Sequence, residues 1–301
     1  MNAIQRYLAE EVAVDYADGI IPRREALRRL GLLGVGAAAA GAMLAACETD
    51  GAEPPAAAPA GTTPAGSAPA SPAARPIEAI SFAGPQGRTL TGAWSAAATP
   101  RGTVLVIHEN RGLTDHIKSV AGRLAASGFS ALAIDLLSEE GGTAKFSDPA
   151  QATAALNSAP PERFIADLKA GVDELLRRVP HRKPGAVGFC FGGGMVWSLI
   201  ASGEPRLAAA APFYGPAPAN ADFTGSPNAA VLGVYAEQDS RVNASRDSAR
   251  AALVEAGLTH EIVTFPGVNH AFFNDTGARY DAAAAATAYQ RLVDWFSLYL
   301  Q

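Results

Sequence analysis

Residues 185–194 read GAVGFCFGGG, in which a short apolar strand leads into a cysteine between glycines, and an amphipathic run follows at residues 195–200. Gly188 and Gly192 stand two residues before and after Cys190, and their missing side chains let strand and helix approach each other at a sharp turn. The pattern predicts a nucleophile elbow with the thiol at its tip. A buried structural cysteine is the alternative interpretation, because free cysteine is among the most buried residue types.

The helix predicted after the cysteine would direct its first backbone N–H groups at the thiol. These dipoles lower the pKa of a thiol and stabilise an oxyanion at the same place. We therefore expect the backbone N–H of Phe191 to be one donor of an oxyanion hole.

Length and charge limit the classes of function that fit this chain. It has 301 residues, of which 49% are apolar or aromatic, so it can bury a sizeable core. Its net charge is −5, and without a basic face we do not expect nucleic acid as a partner. We divide the chain into an export signal at residues 1–47, a disordered linker at residues 48–75 and a catalytic domain at residues 76–301.

The export signal is predicted from paired arginines, Arg23 and Arg24, that precede a weakly apolar run ending in LAAC at residues 44–47. The run is slightly too short to span a bilayer comfortably, so a permanent transmembrane helix is not expected. The arginines resemble a twin-arginine signal, although Ala26 stands where such signals usually carry Phe. LAAC resembles a lipoprotein box, in which Cys47 would be lipidated; the alternative is cleavage elsewhere, with Cys47 incidental.

These features predict a protein of the periplasm or cell-envelope surface that meets the membrane only through its signal or lipid anchor. Residues 48–75 are mostly Ala, Pro, Thr, Gly and Ser, and they cannot bury enough apolar surface to fold, so we expect a tether. Residues 1–19 have apolar positions at helical spacing, and we expect them to leave with the signal. If Cys47 is lipidated or removed, Cys190 has no disulfide partner and remains a free thiol.

Strands and helices alternate from residue 76 onward, which predicts a mostly parallel sheet flanked by helices on both faces, with catalytic groups beyond the carboxyl ends of its strands. The region from 136 to 160 is predicted to be irregular. Predicted strands lie at residues 77–82, 89–94, 103–107, 130–134, 207–213, 229–235 and 261–265, with a further strand at Ala186 before the elbow. Predicted helices lie at residues 115–127, 162–178, 244–256 and 281–300.

Two later loops carry the groups that a cysteine nucleophile needs. Asp239 follows one predicted strand and His270 follows the next, which gives the chain order nucleophile, acid, histidine of α/β-hydrolases. His270 would act as general base, and Asp239 would orient it and fix its tautomer. Glu237 and Asp135 are alternatives for the acid.

The loop at residues 108–113, HENRGL, follows the predicted strand at residues 103–107 and would supply the second oxyanion donor, the N–H of Asn110. Glu109 is unexpected there, because a carboxylate opposes a developing negative charge. We predict that it pairs with the Cys190 thiol; the alternative is that it points outward and pairs with Arg111.

Glu109, the GFCFGG motif around Cys190, Asp239 and His270 together resemble the dienelactone hydrolase family (carboxymethylenebutenolidases), over roughly residues 77–300. The resemblance implies an α/β-hydrolase fold and hydrolysis of an enol lactone or small ester through an acyl-enzyme on Cys190. It also implies that the glutamate holds the resting thiol, and that no metal or organic cofactor takes part. The expected partner is a small-molecule substrate, and the oligomeric state is left open.

The sequence departs from that family at one position. Dienelactone-specific members carry an arginine four residues after the catalytic histidine, and this chain has Asn274 there. We expect Arg111, Tyr214 and Asn274 to contact the substrate. A broader carboxylesterase or thioesterase, or a non-catalytic envelope binding protein on a hydrolase scaffold, are the alternatives. The cations that could replace the missing arginine are Arg111, Lys145, Arg163, Arg241 and Arg279.

Overall fold

A computed structural model describes residues 2–49 and 73–301. Eight strands form one sheet in the order β1-β2-β4-β3-β5-β6-β7-β8; β2 pairs antiparallel with β1 and β4, and every other pair is parallel. The predicted mostly parallel sheet is confirmed. The strands are β1 (Glu78–Ala83), β2 (Thr89–Ser95), β3 (Gly102–Ile107), β4 (Phe129–Asp135), β5 (Pro184–Phe189), β6 (Ala209–Phe213), β7 (Ala230–Ala236) and β8 (His260–Phe265).

Ten α-helices accompany the sheet in the described part of the chain. They are α1 (Ala3–Ala17), α2 (Arg23–Leu32), α3 (Ala37–Thr49), α4 (Asp115–Ala126), α5 (Pro149–Ser158), α6 (Pro161–Arg178), α7 (Phe191–Ala201), α8 (Ser240–Asn243), α9 (Arg246–Glu255) and α10 (Ala282–Tyr299). Every residue of β3, β4, β5, β6 and β7 is buried, so helices and loops cover both faces of the central sheet.

The core follows from the apolar pattern of these elements. The central strands are continuous apolar runs, as expected of strands covered on both faces. Helix α6 buries Phe164, Leu168, Val172 and Leu175, which lie three or four residues apart on one stripe. The sheet and its helices thereby bring the ends of β3, β5, β7 and β8 to one edge.

Two predicted elements differ from the structure. The region from 136 to 160 contains α5, whose buried face is mostly small and polar and therefore shows weak apolar periodicity. Asp148 caps this helix by accepting a hydrogen bond from the N–H of Ala150. The single helix predicted at residues 244–256 is two helices, α8 and α9. The first begins earlier than predicted because the Asp239 side chain caps α8 by accepting a hydrogen bond from the N–H of Val242.

The N-terminal helices α1, α2 and α3 pack on one another and bury Leu8, Leu30 and Leu44 completely. Helix α1 also packs against α5 of the following domain. Of the helices within residues 2–49 and 73–301, none is both long enough and apolar enough to cross a membrane. The Cys47 side chain and residues 50–72 lie outside the described residues, so the lipid anchor, the linker and the export signal stay predictions.

Candidate active site

The turn between β5 and α7 holds Cys190 at φ 55° and ψ −119°, a backbone conformation that residues with a side chain rarely adopt. A β-carbon built on Gly188 would lie 2.1 Å from the carbonyl oxygen of Gly192, and one built on Gly192 would lie 2.3 Å from that of Ile107. Both glycines are therefore required, and the local geometry is that of a strained nucleophile elbow. Strain of this kind is concentrated at functional sites.

His270 and Asp239 meet beyond the ends of β8 and β7. The Nδ1–H of His270 donates to Oδ2 of Asp239 at 2.5 Å, and both residues are buried. Burial alone would raise the pKa of Asp239, but the facing imidazole holds that pKa below its usual range. The two alternative acids are engaged elsewhere: Glu237 accepts the N–H of Gly267, and Asp135 accepts the N–H of Thr143.

The Cys190 thiol lies beneath helix α1. Its Sγ is 3.3 and 3.2 Å from the two carboxylate oxygens of Glu11, and the Tyr7 hydroxyl lies 3.3 Å away. Sγ, a Glu11 oxygen and a ring nitrogen of His270 all lie within 4.8 Å of one another. Burial, followed by the charges of Glu11 and Glu109, raises the thiol pKa well above its usual value. In this arrangement the thiol is covered, and the lowered thiol pKa expected from the helix N-terminus is wrong.

Glu109 does not hold the thiol, and the predicted pairing is wrong. Its Oε2 accepts a hydrogen bond of 2.5 Å from Nδ2 of Asn274, and its Oε1 has no partner among the described residues. The carboxylate that does contact Sγ is Glu11. The alternative of an outward-pointing Glu109 is also wrong, because the residue is 7% exposed. Burial and then the Glu11 charge raise the pKa of Glu109 to about 7.

The loop after β3 supplies donors near the thiol. Nδ2 of Asn110 donates to Oε1 of Glu11 at 2.9 Å, and the carbonyl oxygen of Asn110 accepts the Thr153 hydroxyl at 2.9 Å. Cys190 is followed at once by Phe191, whose N–H is the first of helix α7. Asn110 thus lines the cavity that holds the thiol, and an oxyanion hole made from the N–H groups of Phe191 and Asn110 stays a prediction.

Of the residues predicted to contact the substrate, Arg111 and Asn274 line the polar cavity that holds Cys190 and His270, and Tyr214 does not. Arg111 is exposed. Tyr214 is buried with its ring 5.2 Å from that of His270, and its hydroxyl has no hydrogen-bond partner in the described part of the chain. Asn274 binds Glu109. Tyr214 therefore packs against the imidazole, and Asn274 positions a carboxylate.

Among the candidate cations, Arg241 lies at the thiol. Its Nη2 is 3.9 Å from Oε2 of Glu11, its guanidinium carbon lies 4.3 Å from the centre of the Tyr7 ring, and its side chain is 14% exposed. Arg163 instead pairs with Glu140, and Arg279 pairs with Asp15. Sequence reasoning missed Tyr7 and Glu11 at the site. The sequence feature that could have indicated these two residues is the amphipathic pattern of residues 1–19, because an amphipathic helix needs a surface to pack against.

One cavity is lined by Cys190 and a second by the next residue, Phe191, and α1 contributes to both. A polar cavity of about 70 Å³ is lined by Glu11, Cys190 and His270. A larger, mostly apolar cavity of about 440 Å³ is lined by Tyr7, Phe191, Met195 and Ile165. Glu11, Cys190 and His270 also offer donor atoms of the types that bind zinc, and Cys190 and His270 are two of the predicted catalytic residues.

Comparison with known proteins gives a consistent result. A family model described as the dienelactone hydrolase family matches residues 91–300. A protein of Escherichia coli (strain K12) named "Putative carboxymethylenebutenolidase" is 32% identical over 213 residues, which are 66% of this chain and 78% of that protein.

Two solved structures resemble this one along their whole length. The crystal structure of a "Putative Dienelactone Hydrolase" from Klebsiella pneumoniae is 29% identical, with a TM-score of 0.64, and the match covers 75% of this chain and 100% of that one. A dienelactone hydrolase-like promiscuous phosphotriesterase from metagenomic libraries is 25% identical, with a TM-score of 0.67, over 76% of this chain and 100% of that one.

Proposed function

This chain belongs to the dienelactone hydrolase family of α/β-hydrolases and is a hydrolase of carboxylic esters; from that premise we propose that Cys190 is its nucleophile. We propose further that it opens a small ester or enol lactone through an acyl-enzyme. The observation that carries the proposal is the Cys190 elbow beside a His270 whose Nδ1–H is held by Asp239.

The reaction begins with proton transfer from the Cys190 thiol to Nε2 of His270. Sγ then attacks the carbonyl carbon of the ester, and the oxyanion of the tetrahedral intermediate accepts hydrogen bonds from the N–H groups of Phe191 and Asn110. When the carbon–oxygen bond breaks, the leaving oxygen takes the proton from His270 and the acyl group stays on sulfur. Water, deprotonated by His270, then releases the acid and restores the thiol.

Glu109 fits this scheme as a carboxyl group that is partly protonated near neutral pH. Its pKa of about 7 arises mainly from burial, and in its neutral form it does not oppose an oxyanion on the same loop. Asn274 fixes its orientation by donating to Oε2. We therefore propose that Glu109, held by its hydrogen bond from Asn274, lies beside the oxyanion hole during the reaction.

A second candidate, a broader carboxylesterase, is favoured by the apolar cavity of about 440 Å³ next to Phe191. A cavity of this size can bury a drug-sized molecule and is larger than a small anionic lactone needs. An ester with an apolar group placed against Met195 and Ile165 would use this space.

The test compares hydrolysis of cis-dienelactone and p-nitrophenyl acetate by the full chain and by Glu11→Ala, each with and without Cys190→Ala. Glu11→Ala is included because Glu11 contacts the thiol. Lactone hydrolysis that disappears with the thiol supports the proposal. Thiol-dependent hydrolysis of the aryl ester alone would replace it by the broader esterase. No hydrolysis by any folded form would favour a binding protein.

We also propose that the chain is exported and lipidated on Cys47. Arg23 and Arg24 lie at the start of α2 with exposed side chains, where a translocation receptor can reach them. Changing both to Lys should retain the protein in the cytosol, and Cys47→Ser should abolish incorporation of labelled palmitate. Cytosolic retention of the unmutated chain would overturn the export proposal.

A further inference from the structure

Helix α1 presents one face to the nucleophile. Tyr7 and Glu11 are four residues apart and therefore project from the same side of the helix, and both are buried. Together they make every side-chain hydrogen bond that Cys190 Sγ has among the described residues. This helix lies outside the residues matched by the family model, so the contact is a feature of this chain's own N-terminal segment.

The carboxylate of Glu11 is bound as a ligand would be. It accepts hydrogen bonds from the thiol and from Nδ2 of Asn110, and it lies 3.9 Å from Nη2 of Arg241 and 3.9 Å from Nε2 of His270. Nε and Nη2 of Arg241 have no hydrogen-bond partner in the described part of the chain, although both are buried. A buried guanidinium with free N–H groups is suited to a carboxylate.

Polar contacts hold the far end of α1 against the same edge of the sheet. Arg279 pairs with Asp15 at 2.9 Å and with Asp18 at 2.7 Å, and Nδ2 of Asn269 lies 3.3 Å from the Asp18 carboxylate. Asn269 and Arg279 lie on the segment that carries His270. The helix is thus fixed by side chains that flank the catalytic histidine.

With α1 in place the reacting atoms are closed to solvent. Cys190 and His270 are each 2% exposed, and the cavity that they share measures about 70 Å³, room for a few waters. An ester carbonyl cannot approach Sγ unless Tyr7 and Glu11 move. Burial, and then the charge of Glu11 at 3.2 Å from Sγ, also raise the pKa of the thiol and so disfavour the thiolate.

We propose that α1 is an intramolecular inhibitor, with Glu11 occupying a carboxylate-binding subsite formed by Asn110 and Arg241. This rests on the proposed cysteine-hydrolase function. The helix precedes the paired arginines at residues 23–24, so signal removal at Cys47 would also remove it. Release would join the two cavities and leave Arg241 facing the thiol. The subsite would then receive the carboxylate of an anionic ester or lactone substrate.

Alkylation of the thiol tests the inhibitor without requiring hydrolysis. All forms carry Cys47→Ser, because the chain has two cysteines and Cys190 is then the only thiol. The full chain, Glu11→Ala and Glu10→Ala are treated with iodoacetamide. Glu10 is the matched control, because it is the neighbouring glutamate on the same helix. We expect about tenfold faster alkylation or more for Glu11→Ala, since it loses charge-assisted hydrogen bonds, and no change for Glu10→Ala.

Iodoacetate, an anionic reagent of similar size, tests the subsite. In Glu11→Ala, the rate ratio of iodoacetate to iodoacetamide should fall by about tenfold on Arg241→Gln, with Arg241→Lys intermediate, because a cation next to the thiol attracts the anionic reagent. An unchanged ratio in both variants would overturn the subsite. Should Arg241→Gln fail to fold, the same comparison rests on Arg241→Lys.

The inhibitor proposal would be overturned if iodoacetamide alkylated the full chain, Glu11→Ala and Glu10→Ala at equal rates. It would also be overturned if both variants were accelerated equally. Faster alkylation of Glu11→Ala in a protein that hydrolyses no ester would uphold the inhibitor and reject the hydrolase mechanism. The two proposals therefore fail separately.

Discussion

Two regions of this molecule meet at one sulfur atom. The elbow, Asp239 and His270 belong to the segment that matches the dienelactone hydrolase family, and they are the groups that we propose to perform ester hydrolysis. Helix α1 lies outside that segment and supplies the two side chains, Tyr7 and Glu11, that cover the thiol. The comparison separates chemical capacity, which resides in the catalytic domain, from access to it, which α1 controls.

The largest effect is expected from a substitution in the region that contains the elbow, Asp239 and His270. Asp239→Asn should lower kcat for any hydrolysed ester by about 10²–10⁴-fold, because His270 would lose the carboxylate that fixes its tautomer and stabilises its charged form. The measurement is steady-state hydrolysis in the Glu11→Ala background. Glu237→Gln is the matched control, because this neighbouring carboxylate is exposed and contacts Gly267 instead of His270. An equal loss of kcat in both variants would show that hydrolysis depends on the intact loop and not on the Asp239–His270 pair.

A smaller effect is expected at Glu109, the buried carboxyl group on the loop after β3. Burial raises the Glu109 pKa from 4.5 to about 7, so the folded chain binds this proton more tightly than the unfolded chain. The resulting stabilisation is complete below pH 4.5 and is lost as the pH rises through 7. A shift of this size corresponds to about 3 kcal/mol in the free energy of unfolding.

Glu109→Gln cannot ionise, so its stability relative to the unmutated chain should rise by about 1–3 kcal/mol between pH 5 and pH 8. Urea unfolding at both pH values measures the difference. Glu78→Gln, at an exposed position, serves as the control and should show no such trend. A Glu109→Gln difference that is independent of pH would mean that Glu109 is not a buried carboxyl group with a raised pKa.

The smallest effect is expected from loosening α1 at a distance from the thiol. Arg279→Ala removes the pairs with Asp15 and Asp18, which together are worth about 0.6–1 kcal/mol, so alkylation of Cys190 should accelerate about threefold to fivefold. Arg291→Ala, which removes an exposed pair with Glu261, should leave the rate unchanged. Acceleration greater than that of Glu11→Ala would place the main restraint on α1 at Arg279 and not at the carboxylate.

The catalytic region could be predicted from sequence because its determinants are local. Glycines two residues either side of Cys190 are required by a backbone clash within the turn itself. Asp239 and His270 follow the ends of adjacent strands, and parallel strands bring such ends together. Helix α5 escaped prediction because small side chains on its buried face leave little apolar periodicity.

The contact between Glu11 and Cys190 could not be predicted, because it joins residues 179 positions apart and follows no local period. The same contact explains why the role predicted for Glu109 was wrong. The position beside Sγ is occupied by Glu11, and the amide of Asn274 binds Glu109. A carboxylate near the thiol was expected from the family pattern, but the one that lies there comes from helix α1 and not from the loop after β3.

The most direct test of the account is intact-mass and peptide-mass analysis after brief exposure to p-nitrophenyl acetate, comparing the full chain with Glu11→Ala, both carrying Cys47→Ser so that Cys190 is the only thiol. The account predicts one acetyl group on the peptide that contains Cys190, forming faster in Glu11→Ala and absent after Cys190→Ala. An acetyl group on another residue, or no adduct at Cys190 in a folded and hydrolytically active sample, would contradict it.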